Sequence, residues 1–231
     1  MARLHTRTWG SGARLAVLVH GMTTDSGSWW NTGPMLAEHG YRVIAPDLPG
    51  HGHSDHHDRN DYTLTGMADA LLDTIPETPD LIIGHSLGGL VASAVVERVH
   101  PARAVFEDPP WGTPPGPDVV EFIIRQRSWT VEQLAKFHPR WPAEAIREKH
   151  KALALWDPNT TQVAGEYPGP RAVPPAVASL VLVGDTQPMI DTTLAEQLRS
   201  EGYDLSIVTD AGHNIHNDNP DAFSAALHDW F

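Results

Sequence analysis

The chain has 231 residues, 41% of them hydrophobic, which suffices for a sizeable buried core in one or two domains. Its 29 acidic residues against 16 basic ones give a net charge of −13, which argues against a nucleic-acid or anionic-membrane surface. There is no cysteine, so disulfides, thiol nucleophiles and thiolate metal sites are excluded together. Residues 1–10 hold no apolar segment of the signal-peptide kind, and no apolar run reaches membrane-spanning length, so a cytoplasmic protein with no membrane partner is expected.

Apolar runs and amphipathic stretches alternate along the chain. Leu15-Ala16-Val17-Leu18-Val19 reads as a buried strand, residues 30–39 as a helix closed by Gly40, 41–45 as a second strand, and 62–74 as a helix. Leu81-Ile82-Ile83-Gly84 is a strand, 87–99 a helix, and Ala104-Val105-Phe106 a short strand. Near the C-terminus come a strand at 179–183, a helix at 191–201, a strand at 205–208 and a closing helix at 220–231. Continuous apolar strands separated by amphipathic helices predict an α/β fold, with a mostly parallel central sheet flanked by helices.

The alternation breaks between Pro109 and Pro175. Clusters of proline and glycine bound this stretch at 109–117, at 168–170 and at 174–175, and between them lie three helical patterns, at 118–126, 131–137 and 143–155, with no clear strand. A core of residues 1–108 and 176–231 carrying a helical cap insertion at 109–175 is expected. The insertion holds four of the eight tryptophans, Trp111, Trp129, Trp141 and Trp156. Some of these rings must join cap to core, and at least one is expected to face a bound molecule.

The most informative local pattern is Gly84-His85-Ser86-Leu87-Gly88, set between a strand and a helix. A G-x-S-x-G in that setting is a nucleophile elbow. The turn is so tight that the serine backbone is strained and its hydroxyl stands clear of the sheet, and the residues two before and two after approach too closely for side chains. Serine is a poor nucleophile until a base takes its proton, and that base needs an orienting acid. His213 fits the base, because Ala211-Gly212-His213-Asn214 follows the last strand and precedes the closing helix; His216 is the second choice. Two backbone N–H groups must face the developing oxyanion. Leu87, directly after the nucleophile, supplies one. Met22 supplies the other from His20-Gly21-Met22, just past the first apolar strand.

The chain resembles the α/β-hydrolase superfamily. The resemblance rests on His20-Gly21-Met22, on Asp47-Leu48-Pro49-Gly50-His51-Gly52-His53-Ser54, on Gly84-His85-Ser86-Leu87-Gly88-Gly89 and on Gly212-His213, all in the order of that family. It covers the whole core and implies nucleophile and base roles for Ser86 and His213. The acid departs from the common pattern. The strand at 181–183 commonly ends in Gly-x-x-Asp in the family, whereas here Gly184-Asp185-Thr186-Gln187 puts a neutral amide at the usual position. Asp185 could reach in from two residues earlier, Asp108 could act from the end of the strand at 104–106, and Glu107 could do so if the register shifts by one. Matching that strand to the family's favours Asp108.

The resemblance implies a serine hydrolase that cleaves a small hydrophobic ester or lactone through an acyl-enzyme, acting as a monomer or homodimer with no cofactor. Two alternatives stand beside it. One is a carbon–carbon bond hydrolase using the same residues, and the other is a binding protein that keeps the pocket without turnover. The segment His51-Gly52-His53-Ser54-Asp55-His56-His57-Asp58 is rich in ligand-type side chains, but no fixed spacing converges them and no metal site is expected there. Asp25 and the pair Trp29-Trp30 are expected to start a helix or shape the pocket.

Overall fold

The strands follow one another in the chain as β1 (Thr6–Trp9), β2 (Arg14–Val19), β3 (Tyr41–Pro46), β4 (Leu81–His85), β5 (Arg103–Glu107), β6 (Ala178–Gly184) and β7 (Asp204–Val208). They form one sheet in the order β1-β3-β2-β4-β5-β6-β7, parallel throughout except that β1 runs antiparallel to β3 at the edge. The computed structural model describes residues 3–56, 62–112, 115–166, 173–186 and 188–231.

The helices are α1 (Thr32–Glu38), α2 (Leu64–Thr74), α3 (Leu87–Val99), α4 (Pro117–Arg125), α5 (Val131–Phe137), α6 (Ala143–Leu155), α7 (Thr192–Ser200), α8 (Ile215–Asp218) and α9 (Pro220–Ala226). Side chains alternate across the sheet with period 2 and feed two cores. On one face Leu15, Val17, Val19, Ile82 and Phe106 pack with Met67 and Leu71 of α2 and with Leu90 and Val91 of α3. On the other face Ala16, Leu18, Ile83, Val105 and Leu182 meet Leu36 of α1 and Phe223 of α9. Helices on both faces are why the middle positions of β2, β4 and β5 form continuous apolar runs.

Several boundaries differ from the sequence reading for local reasons. The helix expected at 30–39 begins at Thr32, because Pro34 has no N–H and is tolerated only in a first turn. A 3-10 turn, Ser26–Trp29, precedes it, started by Asp25, whose carboxylate accepts the Gly27 N–H at 2.7 Å. The helix α2 begins at Leu64 because Thr63 caps it, accepting from the Gly66 N–H at 3.0 Å. The closing helix ends at Ala226 and gives way to a 3-10 turn, His228–Trp230. The edge strand β1 and the short α8 were not expected.

Between β5 and β6 lie α4, α5, α6 and a 3-10 stretch, Pro158–Glu166, with no strand among the described residues. The prolines and glycine at 168–170 lie outside them. A reciprocal capping box between Thr130 and Gln133 starts α5. The segment docks on the rest of the chain through polar contacts at several points. Trp141 Nε1 donates to Asp218 at 2.9 Å, the Tyr62 hydroxyl to Asp157 at 2.8 Å, and Arg7 to Glu148 at 3.1 Å.

Candidate active site

Ser86 follows β4 directly and caps α3 with φ 51° and ψ −120°, a left-handed backbone that a residue with a side chain adopts only under constraint. Its own N–H donates to the Glu107 carbonyl at 2.9 Å, which ties the turn to β5. A Cβ on Gly84 would collide with the Gly88 carbonyl, and one on Gly88 with the Val19 carbonyl, so the elbow closes only with glycine on both sides. Leu87 opens α3, and its N–H belongs to the first turn, whose amides have no intrahelical acceptor.

His213 lies in the loop between β7 and α8. Its Nε2 is 2.9 Å from Ser86 Oγ and its Nδ1 is 2.6 Å from Asp108 Oδ2. The Nδ1 proton goes to the carboxylate, which leaves Nε2 to accept from the serine hydroxyl. Asp108, just past β5, is fully buried and has φ 38°. The Met189 N–H donates to its two oxygens at 3.0 and 3.1 Å. Burial pulls the His213 pKa down, but the Asp108 hydrogen bond and charge, with the Glu107 charge behind them, outweigh burial and leave it raised; Lys149 opposes them.

The other two candidate acids serve elsewhere. Glu107 is fully buried and accepts from His216, from the backbone N–H at 3.0 Å and from Nδ1 at 2.8 Å. Burial pushes its carboxyl up, and the field and hydrogen bonds of His216 overcome that and hold it low. Successive residues point to opposite faces at a strand end, so Glu107 and Asp108 meet different histidines. His216 is thereby engaged away from Ser86, its Nε2 accepting from Asn217 at 3.0 Å. Asp185 accepts the N–H groups of Asp210 at 3.1 Å and Ala211 at 3.3 Å, holding the turn that leads to His213 rather than touching the ring. Gln187 lies outside the described residues.

The loop carrying Met22 is fixed by buried histidines. Leu48 N–H donates to His20 Nε2 at 2.9 Å, so the His20 Nδ1 proton goes to the Gly21 carbonyl at 2.8 Å. His51 Nε2 donates to the Met22 carbonyl at 2.5 Å, and burial drives the His51 pKa down to about 3, keeping the ring neutral. His85 donates from Nε2 to the His213 carbonyl at 2.9 Å and is likewise kept neutral by burial. A Cβ on Gly21 would lie 2.7 Å from His85 Nδ1, so the loop reaches Ser86 only because this residue is glycine. In the histidine-rich segment, His53 N–H and His5 Nδ1 donate to Asp47, which shapes the loop; His57 and Asp58 lie outside the described residues.

A cavity of about 510 Å³ opens over Ser86 and His213. Val119, Phe122, Ile123 and Phe137 give it an apolar wall, and Met22 lines it from below. None of the four tryptophans is among its lining residues, contrary to expectation. Trp111 packs on Phe106 and Tyr203, Trp141 stacks on His138, and Trp156 donates to Thr160 at 2.7 Å. Trp129 stands behind the two phenylalanines, with ring centroids 5.8 Å from Phe122 and 5.0 Å from Phe137. The large rings are used as joints, and smaller ones face the space.

One lining residue went unnoticed in the sequence. Lys149 of α6 is 6% exposed and borders the cavity. It falls on the helix stripe of Ala145, Ile146, Ala152 and Leu153, all buried, and a lysine on an apolar stripe was the signal that could have found it.

A family model described as alpha/beta hydrolase family matches residues 16–226. The chain belongs to the alpha/beta hydrolase family. A pimeloyl-[acyl-carrier protein] methyl ester esterase of Aeromonas salmonicida is 37% identical over 105 residues, a match covering 44% of this chain and 40% of that relative's own length. Among solved structures, an N-formylmaleamic acid deformylase from Pseudomonas putida superposes with a TM-score of 0.81 over 98% of this chain and 96% of that one, at 22% identity. An enol-lactonase from Burkholderia xenovorans gives 0.78 over 98% and 95%, also at 22%. These two structures share the α/β-hydrolase fold with this chain. No helix among its described residues is long and apolar enough to cross a membrane.

Proposed function

We propose that the chain is a serine hydrolase that cleaves a small carboxylic ester or lactone through an acyl-enzyme on Ser86. The observation that carries this reading is the relay from Asp108 Oδ2 through His213 to Ser86 Oγ, with both links at hydrogen-bond distance. His213 takes the serine proton as Oγ attacks the carbonyl carbon. The tetrahedral oxyanion is held by the N–H groups of Met22 and Leu87. Asp108 accepts from Nδ1 and stabilises the imidazolium. His213 then protonates the departing alcohol oxygen, and a water activated by the same ring releases the acid. Residues 109–175 act as a cap whose apolar wall selects the substrate.

A serine at the elbow distinguishes this chemistry from hydrolases with a carboxylate nucleophile. The test is hydrolysis of short p-nitrophenyl esters by wild type and Ser86→Ala. Turnover lost in a folded Ser86→Ala variant is the expected result, and wild-type turnover in that variant would sink the proposal.

A further inference from the structure

Lys149 places its ammonium at the cavity over Ser86 and His213, which Val119, Phe122, Ile123 and Phe137 also line. Its ammonium touches the Thr23 hydroxyl, one residue beyond the Met22 amide, and it makes no ion pair with any carboxylate among the described residues. Its neighbour Glu148, on the same turn of α6, is engaged by Arg7 and Lys151 instead. Burial lowers the Lys149 pKa to about 7, with Asp25 pulling the other way without reaching it as an ion pair. Lysine is almost never buried unless paired, because a desolvated ammonium is costly without an anion. A single neutral hydroxyl does not supply one.

A second cation lines the cavity. Arg140 borders it and is exposed, with no carboxylate partner among the described residues. The acid that lines it, Asp218, has its oxygens committed to Trp141 Nε1 at 2.9 Å and to the Gly212 N–H at 2.8 Å. Asp108 sits behind His213 and is taken up by it. A chain of net charge −13 has thus placed two uncommitted cations on the walls of this one cavity.

We infer that the substrate carries a carboxylate in addition to its scissile carbonyl, and that Lys149 binds that carboxylate beside the oxyanion loop while Arg140 attracts it at the rim. The class is the monoester of a dicarboxylic acid, or a lactone that bears a free carboxylate. A monoanion matches one ammonium and one hydroxyl, whereas a phosphate dianion requires more donors than this corner offers. The inference rests on the hydrolase reading for its chemistry, but the binding that it describes does not require turnover.

The experiment therefore has two arms. In the first, Ser86→Ala is titrated by calorimetry with monomethyl glutarate and with its neutral isostere, methyl 5-methylhexanoate. The anion is expected to bind about tenfold tighter or more, the size of one hydrogen bond to a charged group. That preference is expected to disappear when Lys149→Met is added, with Lys149→Gln as a second variant should the first fail to fold. Equal binding of the two esters, or a preference that survives both variants, overturns the inference. In the second arm, kcat/KM is compared for the p-nitrophenyl esters of the same two acids. A preference for the anionic ester that collapses in Lys149→Met supports carboxylate recognition. An equal loss on both esters would make Lys149 a positioning residue and overturn it. If neither ester turns over, the hydrolase reading fails, and the calorimetry still decides the inference.

Discussion

Asp108 and Glu107 are adjacent in the chain and hold two different histidines, Asp108 taking His213 at 2.6 Å and Glu107 taking His216 at 2.8 Å. The last residue of β5 and the one after it thereby face two ways, Asp108 toward Ser86 through His213 and Glu107 toward the core. Asp108→Asn keeps the volume and removes the charge that stabilises the imidazolium. It is expected to lower kcat by roughly 10³–10⁴, as loss of the orienting acid does in a serine triad. Asp185→Asn is expected to cost less than about tenfold, since Asp185 holds only the preceding turn. Steady-state kinetics on one p-nitrophenyl ester measures both; a larger loss in Asp185→Asn would reverse the assignment.

The pH dependence follows from His213. The base works only when neutral, so activity falls as pH drops through its pKa. That pKa is raised above the ordinary 6.5 by Asp108, so the acidic limb of kcat/KM is expected above 6.5 in wild type. Removing the carboxylate takes away the largest raising influence, and the limb in Asp108→Asn is expected to move to lower pH. A limb that stays in place, or moves up, would contradict the pairing.

Glu107 with His216 is a buried pair, 0% and 1% exposed in side chain. Losing Glu107 leaves two buried donors, His216 Nδ1–H and the His216 backbone N–H, without an acceptor, which costs about 1–3 kcal/mol each. For a chain of this size Glu107→Ala is expected to lower Tm by roughly 4–24 °C. A melt within about 2 °C of wild type would mean that the pair contributes nothing to the fold.

The aromatic residues divide between joint and wall. Trp111 is fully buried, so Trp111→Ala is expected to cost about 3–5 kcal/mol in stability, read by denaturant unfolding. Phe137 is 50% exposed and lines the cavity, so Phe137→Ala is expected to leave Tm nearly unchanged. It should lower kcat/KM for long-chain p-nitrophenyl esters more than for the acetate. The opposite pattern would exchange their roles.

Much of this architecture is written locally. The helices α3, α5 and α6 begin and end at the residues read from sequence, because apolar periodicity, the Thr130 cap and Pro142 mark them. The sheet class follows from the apolar runs 15–19, 81–83 and 104–106, too continuous for a strand with one face in water. The strand β1 escaped because it is four residues long, with no buried position at an edge of the sheet. The elbow is likewise local, since five consecutive residues set its backbone. The acid is not local: three carboxylates near strand ends look alike in sequence, and only the packing of the 209–214 loop against β5 decides which one meets His213. The tryptophans taught the same lesson, because composition marks a ring as apolar without saying which way it faces.

The proposed activation of Ser86 by His213 and Asp108 is open to labelling with a fluorophosphonate, followed by mapping of the modified residue by mass spectrometry. About one equivalent of label is expected on Ser86, bound rapidly in wild type, slowly in Asp108→Asn, and not at all in Ser86→Ala. Folded wild-type protein that takes up no label, or takes it elsewhere, would contradict the claim.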